Sequence, residues 1–138
     1  MRNNKFHLAF PVTNLGSAKK FYTETIGCQI GRESEKWVDF DFFGHQITAH
    51  LVKNIDRIDS NSVDKEQVPV RHFGLVLTWN EWQTFSTRLK NNNVLFLIEP
   101  QIRFKGKPGE QATLFITDPS NNALEFKAFR DPNNLFRK

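Results

Sequence analysis

The strongest constraint on the fold is a pattern of one strand, one helix and three strands that occurs twice along the chain. The first copy runs from Lys5 to Val52, and the second runs from Arg71 to Phe129. Alternating apolar and polar residues predict the strands, whereas apolar residues three or four positions apart predict the helices. The sequence therefore predicts an α+β protein that is built from two βαβββ modules.

Short runs of alternating apolar side chains give the predicted strands: 5–10, 28–31, 36–42, 46–52, 71–78, 94–98, 111–117 and 123–129. The first helix is expected to be capped at Thr13 or Asn14 and to end at Gly27. For the second helix, Asn80 followed by Gln83 predicts a capping box, and the asparagines at 91–93 predict the end.

We expect one domain, in which module one covers about 5–52 and module two about 71–129. The polar residues 53–70 between them predict a linker, which is long enough to act as a lid. Residues 130–138 are expected to form a C-terminal tail on the surface.

The charge and the composition limit the kinds of molecule that the protein is expected to bind. The net charge is +4, but the Lys and Arg residues are scattered and form no basic helix or arm, which argues against nucleic acid and indicates a mild preference for small anionic ligands. A single cysteine, Cys28, excludes an intrachain disulfide framework. No apolar segment has the length of a membrane span and the first residues do not resemble a signal peptide, so we expect a cytoplasmic protein that does not associate with membranes.

The last predicted strand contains one charged residue that needs an explanation. Glu125 stands between Leu124 and Phe126, on the face opposite to these two apolar side chains. A carboxylate at such a position either faces bulk water or lies in a pocket with a cation, because a buried unpaired charge is costly. Both interpretations are open for Glu125 taken alone.

Aligning the two modules places His7 opposite His72, each two residues before a small residue, and places His50 opposite Glu125. All four lie on the strand face opposite to the large apolar side chains. Two neutral imidazoles and a carboxylate, from His7, His72 and Glu125, would give a divalent metal three ligands with open positions, as in non-heme Fe(II) oxygenases. The net charge of about +1 would favour an anionic chelating substrate, such as a catecholate or an enediolate.

Two parts of this hypothesis have alternatives. His50 is either a fourth metal ligand or a catalytic acid or base next to the metal. Each histidine taken alone could also be an ordinary strand residue that is satisfied by a neighbour or by water. The loop from Arg103 to Glu110 is either a solvated hairpin or a mobile clamp, in which Arg103 and Lys105 bind a substrate carboxylate or phosphate.

The sequence resembles the vicinal oxygen chelate superfamily, which includes glyoxalases, bleomycin-resistance proteins and extradiol dioxygenases. Four segments that span nearly the whole chain carry the resemblance: His7-Leu-Ala-Phe-Pro-Val, Ala18-Lys-Lys-Phe21-Tyr22 ending at Ile26-Gly27, His72-Phe-Gly-Leu, and Asp118-Pro-Ser-Asn-Asn-Ala-Leu-Glu125-Phe. The resemblance implies two βαβββ modules that form a half-open mixed β barrel with helices on the outside. It also implies metal ligands at His7, His50, His72 and Glu125, and a homodimer.

The same resemblance suggests three functions. His7, His72 and Glu125 resemble the ligand triad of extradiol dioxygenases, which implies Fe(II) or Mn(II) and a small anionic substrate with vicinal oxygens. A glyoxalase-like lyase or isomerase, or a thiol transferase, would instead use a metal such as zinc or nickel without dioxygen. A metal-free protein that sequesters a ligand, as bleomycin-resistance proteins do, is the third alternative.

Overall fold

The structure is a computed structural model that describes residues 3–138. It contains two compact units, each built around a four-stranded mixed sheet. The first unit comprises the chain up to Arg57 together with Asp118–Asn122, and the second comprises Ile58–Thr117 and Ala123–Lys138.

The first unit has four strands, β1 to β4, and one helix, α1, that continues as a π-helical segment. Their bounds are β1 His7–Val12, α1 Leu15–Lys20, the π segment Phe21–Ile26, β2 Gln29–Glu33, β3 Trp37–Phe42 and β4 His45–Leu51. The strand order is β1-β4-β3-β2, and β1 is parallel to β4. Asn14 caps α1 by accepting a hydrogen bond from the Ser17 N–H, and Gly27, at φ 98°, ends the π segment in the left-handed conformation that glycine adopts easily.

The second unit has six strands and a longer helix, α2, followed by a 3₁₀ helix. Their bounds are β5 Asp59–Val63, β6 Glu66–Val70, β7 His72–Leu77, α2 Trp79–Asn91, β8 Phe96–Arg103, β9 Gln111–Thr117, β10 Ala123–Phe129 and the 3₁₀ helix Pro132–Phe136. The sheet order is β7-β10-β9-β8, in which β7 is parallel to β10, so this sheet repeats the topology of the first unit. Strands β5 and β6 form a separate hairpin.

The predicted α+β class and the two βαβββ modules are confirmed. The stretch predicted as a linker contains the hairpin β5–β6, because Val63, Val68 and Val70 supply enough β-branched residues for a short ladder. Two local predictions are wrong. The capping box of α2 is formed by Thr78 and Glu81, two residues earlier than the predicted Asn80 and Gln83. Strand β8 continues to Arg103, which leaves a shorter loop at 104–110.

Large aromatic side chains form the core of each unit. In the first unit, Tyr22 is fully buried beside Phe10 and Phe40, with ring centroids 5.4 and 5.0 Å away. In the second unit, Phe85 of α2 packs on Phe126 of β10 at 4.5 Å. Complete burial of side chains of this size contributes about 1.5–3 kcal/mol each, so these contacts hold one face of each sheet against its helix. The opposite faces carry the candidate site residues.

None of the helices within residues 3–138 is long and apolar enough to cross a membrane.

Candidate functional site

In the second unit, the sheet brings His72 and Glu125 together. Strands β7 and β10 are parallel neighbours, with His72 opposite Ala123 and Gly74 opposite Glu125. Because residues two apart on a strand share a face, the two functional side chains point to the same side of the sheet. His72 Nε2 lies 3.1 Å from Glu125 Oε2, and the Glu125 side chain is only 15% exposed. The predicted pairing of these two residues on one face agrees with this geometry.

Gly74 lies beside this pair for a steric reason. A Cβ atom at position 74 would overlap the backbone carbonyl oxygen of Glu125. Only glycine therefore permits the observed approach of β7 to β10 at the level of the carboxylate. The sequence alone showed that a small residue follows the histidine by two positions. It did not show that the close approach of the Glu125 backbone makes glycine necessary there.

A backbone carbonyl fixes the orientation of the His72 ring. Nδ1 of His72 lies 2.6 Å from the carbonyl oxygen of Pro69. A carbonyl can only accept a hydrogen bond, so Nδ1 carries a proton, and a neutral ring then presents the lone pair of Nε2 to Glu125. Two acceptor atoms that face each other need a shared cation, which is a proton on Nε2 or a metal ion.

The surroundings shift both pKa values towards the charged pair. The hydrogen bond with Glu125 raises the pKa of His72, against the opposite effect of burial. Burial acts to raise the pKa of Glu125, but hydrogen bonds with His72 and Thr113 outweigh it and leave that pKa below its ordinary value. The site therefore favours an anionic carboxylate next to a positive charge.

Two residues of β9 support the pair. The buried Thr113 hydroxyl donates a hydrogen bond to Glu125 Oε1 at 2.8 Å, which leaves Oε2 for the imidazole side. The ring of Phe115 packs edge-on against His72, with centroids 5.0 Å apart. Phe115 is itself 2% exposed, so it shields one side of the imidazole from water. Sequence reasoning did not identify Thr113.

His7 and His50 belong to the first unit, where both are exposed on β1 and β4. The ladder pairs His7 with Gln46 and Ala9 with Thr48. Since Ala9 corresponds to Gly74, the counterpart of Glu125 in the first unit is Thr48, and our alignment of His50 with Glu125 is wrong by two residues. The metal-binding role of His7 and the two roles considered for His50 stay predictions.

In the first sheet, a buried carboxylate lies on β3, the strand next to β4, at Asp39. It is 6% exposed and accepts hydrogen bonds from Thr48 Oγ1 at 2.6 Å and Gln46 Nε2 at 3.3 Å. Arg32 Nε lies 3.5 Å from it. Sequence reasoning missed this cluster, although an aspartate alternating with Val38 and Phe40 was a signal of the same kind as Glu125.

Arg103 and Lys105, the predicted anion-binding residues, lie at the end of β8 and in the following loop. Lys105 is exposed, whereas Arg103 is mostly buried and its Nη1 lies 3.3 Å from Asp64 Oδ2. The loop is held by Glu110, whose side chain accepts from the Gly106 N–H at 2.8 Å and whose carbonyl accepts from the Arg130 N–H at 2.9 Å. These bonds give the loop a defined conformation.

Across residues 3–138, no three His, Cys, Asp or Glu side chains cluster at distances suited to a metal ion. His72 and Glu125 are therefore two adjacent candidate ligands.

Comparison with known proteins shows one family. The sequence profile described as the Glyoxalase/Bleomycin resistance protein/Dioxygenase superfamily matches residues 6–126. A solved structure with the description glyoxalase/bleomycin resistance protein/dioxygenase, from Alicyclobacillus acidocaldarius, is 33% identical, with 97% of each chain covered and a TM-score of 0.79.

Two more distant structures share the fold. The fosfomycin resistance protein FosX from Listeria monocytogenes is 16% identical, with 96% of this chain and 98% of its own covered and a TM-score of 0.70. A lactoylglutathione lyase from Agrobacterium tumefaciens is also 16% identical, with 98% and 97% covered and a TM-score of 0.66. No curated protein matched the sequence significantly.

Proposed function

Because the chain belongs to the Glyoxalase/Bleomycin resistance protein/Dioxygenase superfamily, we propose that it is a metal-dependent enzyme acting on a small anionic substrate with two adjacent oxygen atoms. The observation that supports this most is the His72–Glu125 pair, in which Nε2 and Oε2 face each other at 3.1 Å. The Pro69 carbonyl holds the imidazole proton on the far nitrogen. This is the orientation in which a histidine binds a metal.

The donor set fits a divalent first-row metal. His72 and Glu125 would supply one nitrogen and one oxygen, and His7 is proposed as the third ligand. His50 is proposed either as a fourth ligand or as an acid or base that acts on the substrate. Imidazole and carboxylate donors suit Fe(II) or Mn(II), with zinc or nickel as alternatives.

The residues around the pair have defined tasks. The Thr113 hydroxyl binds one carboxylate oxygen of Glu125 and so fixes the rotation of the group. Phe115 keeps water away from one face of the His72 ring. When bound, the metal would act as a Lewis acid that polarises the substrate oxygens. An open coordination side with a positive charge would orient the anionic substrate.

As the specific reaction, we propose extradiol-type ring cleavage of a catecholic substrate. The combination of His7, His72 and Glu125 supports this proposal, because it resembles the ligand triad of that class. Protein reconstituted with Fe(II) without oxygen and then given catechols and air should consume oxygen and form a ring-cleavage product. Absence of both, in protein with bound iron, would exclude this reaction.

A lyase, isomerase or thiol-transferase activity is a second candidate, and one observation favours it. The side chain of β9 that packs on His72 is Phe115, which offers no hydroxyl as a proton donor beside the metal site. Turnover with manganese, zinc or nickel that consumes no oxygen would support this candidate. We also propose a homodimer, which sedimentation equilibrium would test.

Metal content tests the common part of both candidates. Protein purified without chelators should contain close to one divalent metal per site, and His72→Ala and Glu125→Gln should lose it. His45→Ala and Glu99→Gln are matched controls, since these residues lie outside the pair. Full metal uptake by both site variants would refute the proposal, and ligand binding without any metal would favour a sequestering protein.

A further inference from the structure

Among residues 3–138, one edge of the Arg103 guanidinium has no hydrogen-bond partner. Its Nη1 lies 3.3 Å from Asp64 Oδ2, but Nε and Nη2 are buried and make no hydrogen bond with any of residues 3–138. Nε and Nη2 form the side of the guanidinium that presents two parallel N–H groups. Such donors normally have partners, because each buried unsatisfied one costs about 1–3 kcal/mol.

The hairpin β5–β6 contacts the sheet that carries Arg103 at three points. At its tip, the turn residue Asp64 contacts the guanidinium. In its second strand, Val68 packs with Ile98 and Phe115. The next residue, Pro69, accepts the hydrogen bond from His72. One hairpin therefore reaches from the arginine to the candidate metal-binding histidine.

The strand register places Arg103 on the same sheet face as Glu125. Arg103 is opposite Gln111, and Glu125 is opposite Phe115. Gln111 and Phe115 are four residues apart on β9, so they share a face and are separated by about 13 Å along the strand. An arginine side chain can span part of that distance, which places its charge within reach of a substrate that extends from the metal site.

We propose that the Nε–Nη2 edge of Arg103 binds an oxyanion of the substrate, a carboxylate or a phosphoryl group, and that Asp64 holds the hairpin over this edge until the oxyanion arrives. The inference rests on the proposed function, since it assigns a substrate group to the same site. Two parallel donors match the two oxygens of such a group, which lysine cannot do. Asp64 can be released at low cost, because its side chain is 50% exposed and an ion pair of this kind is weak.

Binding of inorganic phosphate and of malonate to the metal-free protein, measured by calorimetry, tests the inference. Arg103→Lys should weaken the preferred anion about tenfold, because a point charge replaces a two-donor fork. Asp64→Asn should strengthen it roughly two- to fivefold, because the weak ion pair that holds the hairpin next to the Nε–Nη2 edge disappears. Asn also suits the left-handed φ of 47° at this position.

Asp59→Asn is the matched control, since it removes the same charge from the other end of the hairpin. Tighter binding of phosphate would assign a phosphoryl group, and tighter binding of malonate a carboxylate. The inference is wrong if neither anion binds, if Arg103→Lys binds as well as the native protein, or if Asp64→Asn behaves like Asp59→Asn.

Metal binding separates this inference from the proposed function. Arg103→Lys and Asp64→Asn should keep the native metal content, whereas His72→Ala should lose metal and retain anion binding. If Arg103→Lys loses anion binding but takes up metal normally, the effect is confined to the anion site and leaves the metal site intact. Normal metal content in His72→Ala, with anion binding as proposed, would overturn only the metal centre.

Discussion

Thr113→Val tests whether the hydroxyl of Thr113, which is not itself a proposed metal ligand, holds Glu125 in position. Valine has almost the same shape as threonine, so the substitution removes the 2.8 Å hydrogen bond to Oε1 without opening a cavity. Thr113 is 2% exposed, and water cannot easily replace the lost donor. A hydrogen bond to a charged group contributes about 1.5–3 kcal/mol, and that amount should be lost from the unfolding free energy of the metal-free protein.

The effect on metal affinity should be of similar size. Groups that orient a metal ligand typically contribute about 10–100-fold in affinity, which corresponds to about 1.4–2.7 kcal/mol. Manganese binding, followed by electron paramagnetic resonance, should therefore weaken by that factor in Thr113→Val. Thr113→Ser keeps the hydroxyl and should retain most of the affinity.

The reasoning would be refuted if Thr113→Val binds manganese like the native protein while Glu125→Gln does not. In that case the carboxylate would bind the metal without help from β9. Equal losses in the serine and valine variants would point to packing and not to the hydrogen bond.

Three further substitutions test other contacts. Tyr22→Phe removes the buried 2.8 Å hydrogen bond to Asp118 and should lower the unfolding free energy by about 1.5–3 kcal/mol in urea titrations; a loss below about 0.5 kcal/mol would contradict this. Gly74→Ala should push β7 away from Glu125 and reduce metal affinity more than Thr113→Val does, whereas an unchanged affinity would show that the backbone adapts easily. Backbone and hydroxyl hydrogen bonds at the helix cap lower the pKa of Glu81, so its stabilising effect is present above about pH 4.5 and is lost as the pH falls through the folded-state pKa. Glu81→Gln should therefore flatten the dependence of stability on pH in that acidic range, and an unchanged slope would refute the assignment.

Most of the backbone plan could be predicted because the strands alternate clearly and the order recurs. Strands 111–117 and 123–129 were predicted with the observed bounds. The hairpin Asp59–Val70 could not be predicted in the same way, because its residues are mostly polar and its position depends on Val68 packing against residues far along the chain. Tertiary contact outweighed local composition there.

The candidate site was predictable only in part. His72 and Glu125 could be placed on one face from alternation alone, whereas Thr113 required the register between β9 and β10. The misplacement of His50 has the same origin. Alternation fixes which face a side chain occupies, but it does not fix how far along a neighbouring strand it lies. That offset of two residues preserves the face and changes the neighbours.

The ladders of the two sheets share their strand pairing but not the placement of their acidic residues. Glu125 is opposite Phe115 on one ladder, while at the corresponding rungs of the other, Thr48 is opposite Asp39. The acidic residue of this rung lies on β10 in one sheet and on β3 in the other, which is the counterpart of β9. The antiparallel pairing of the two ladders is the same in both arrangements. The side chains at a given rung can therefore differ between the two sheets without any change in the strand pairing, so the two halves of this chain are better compared by rung than by residue type.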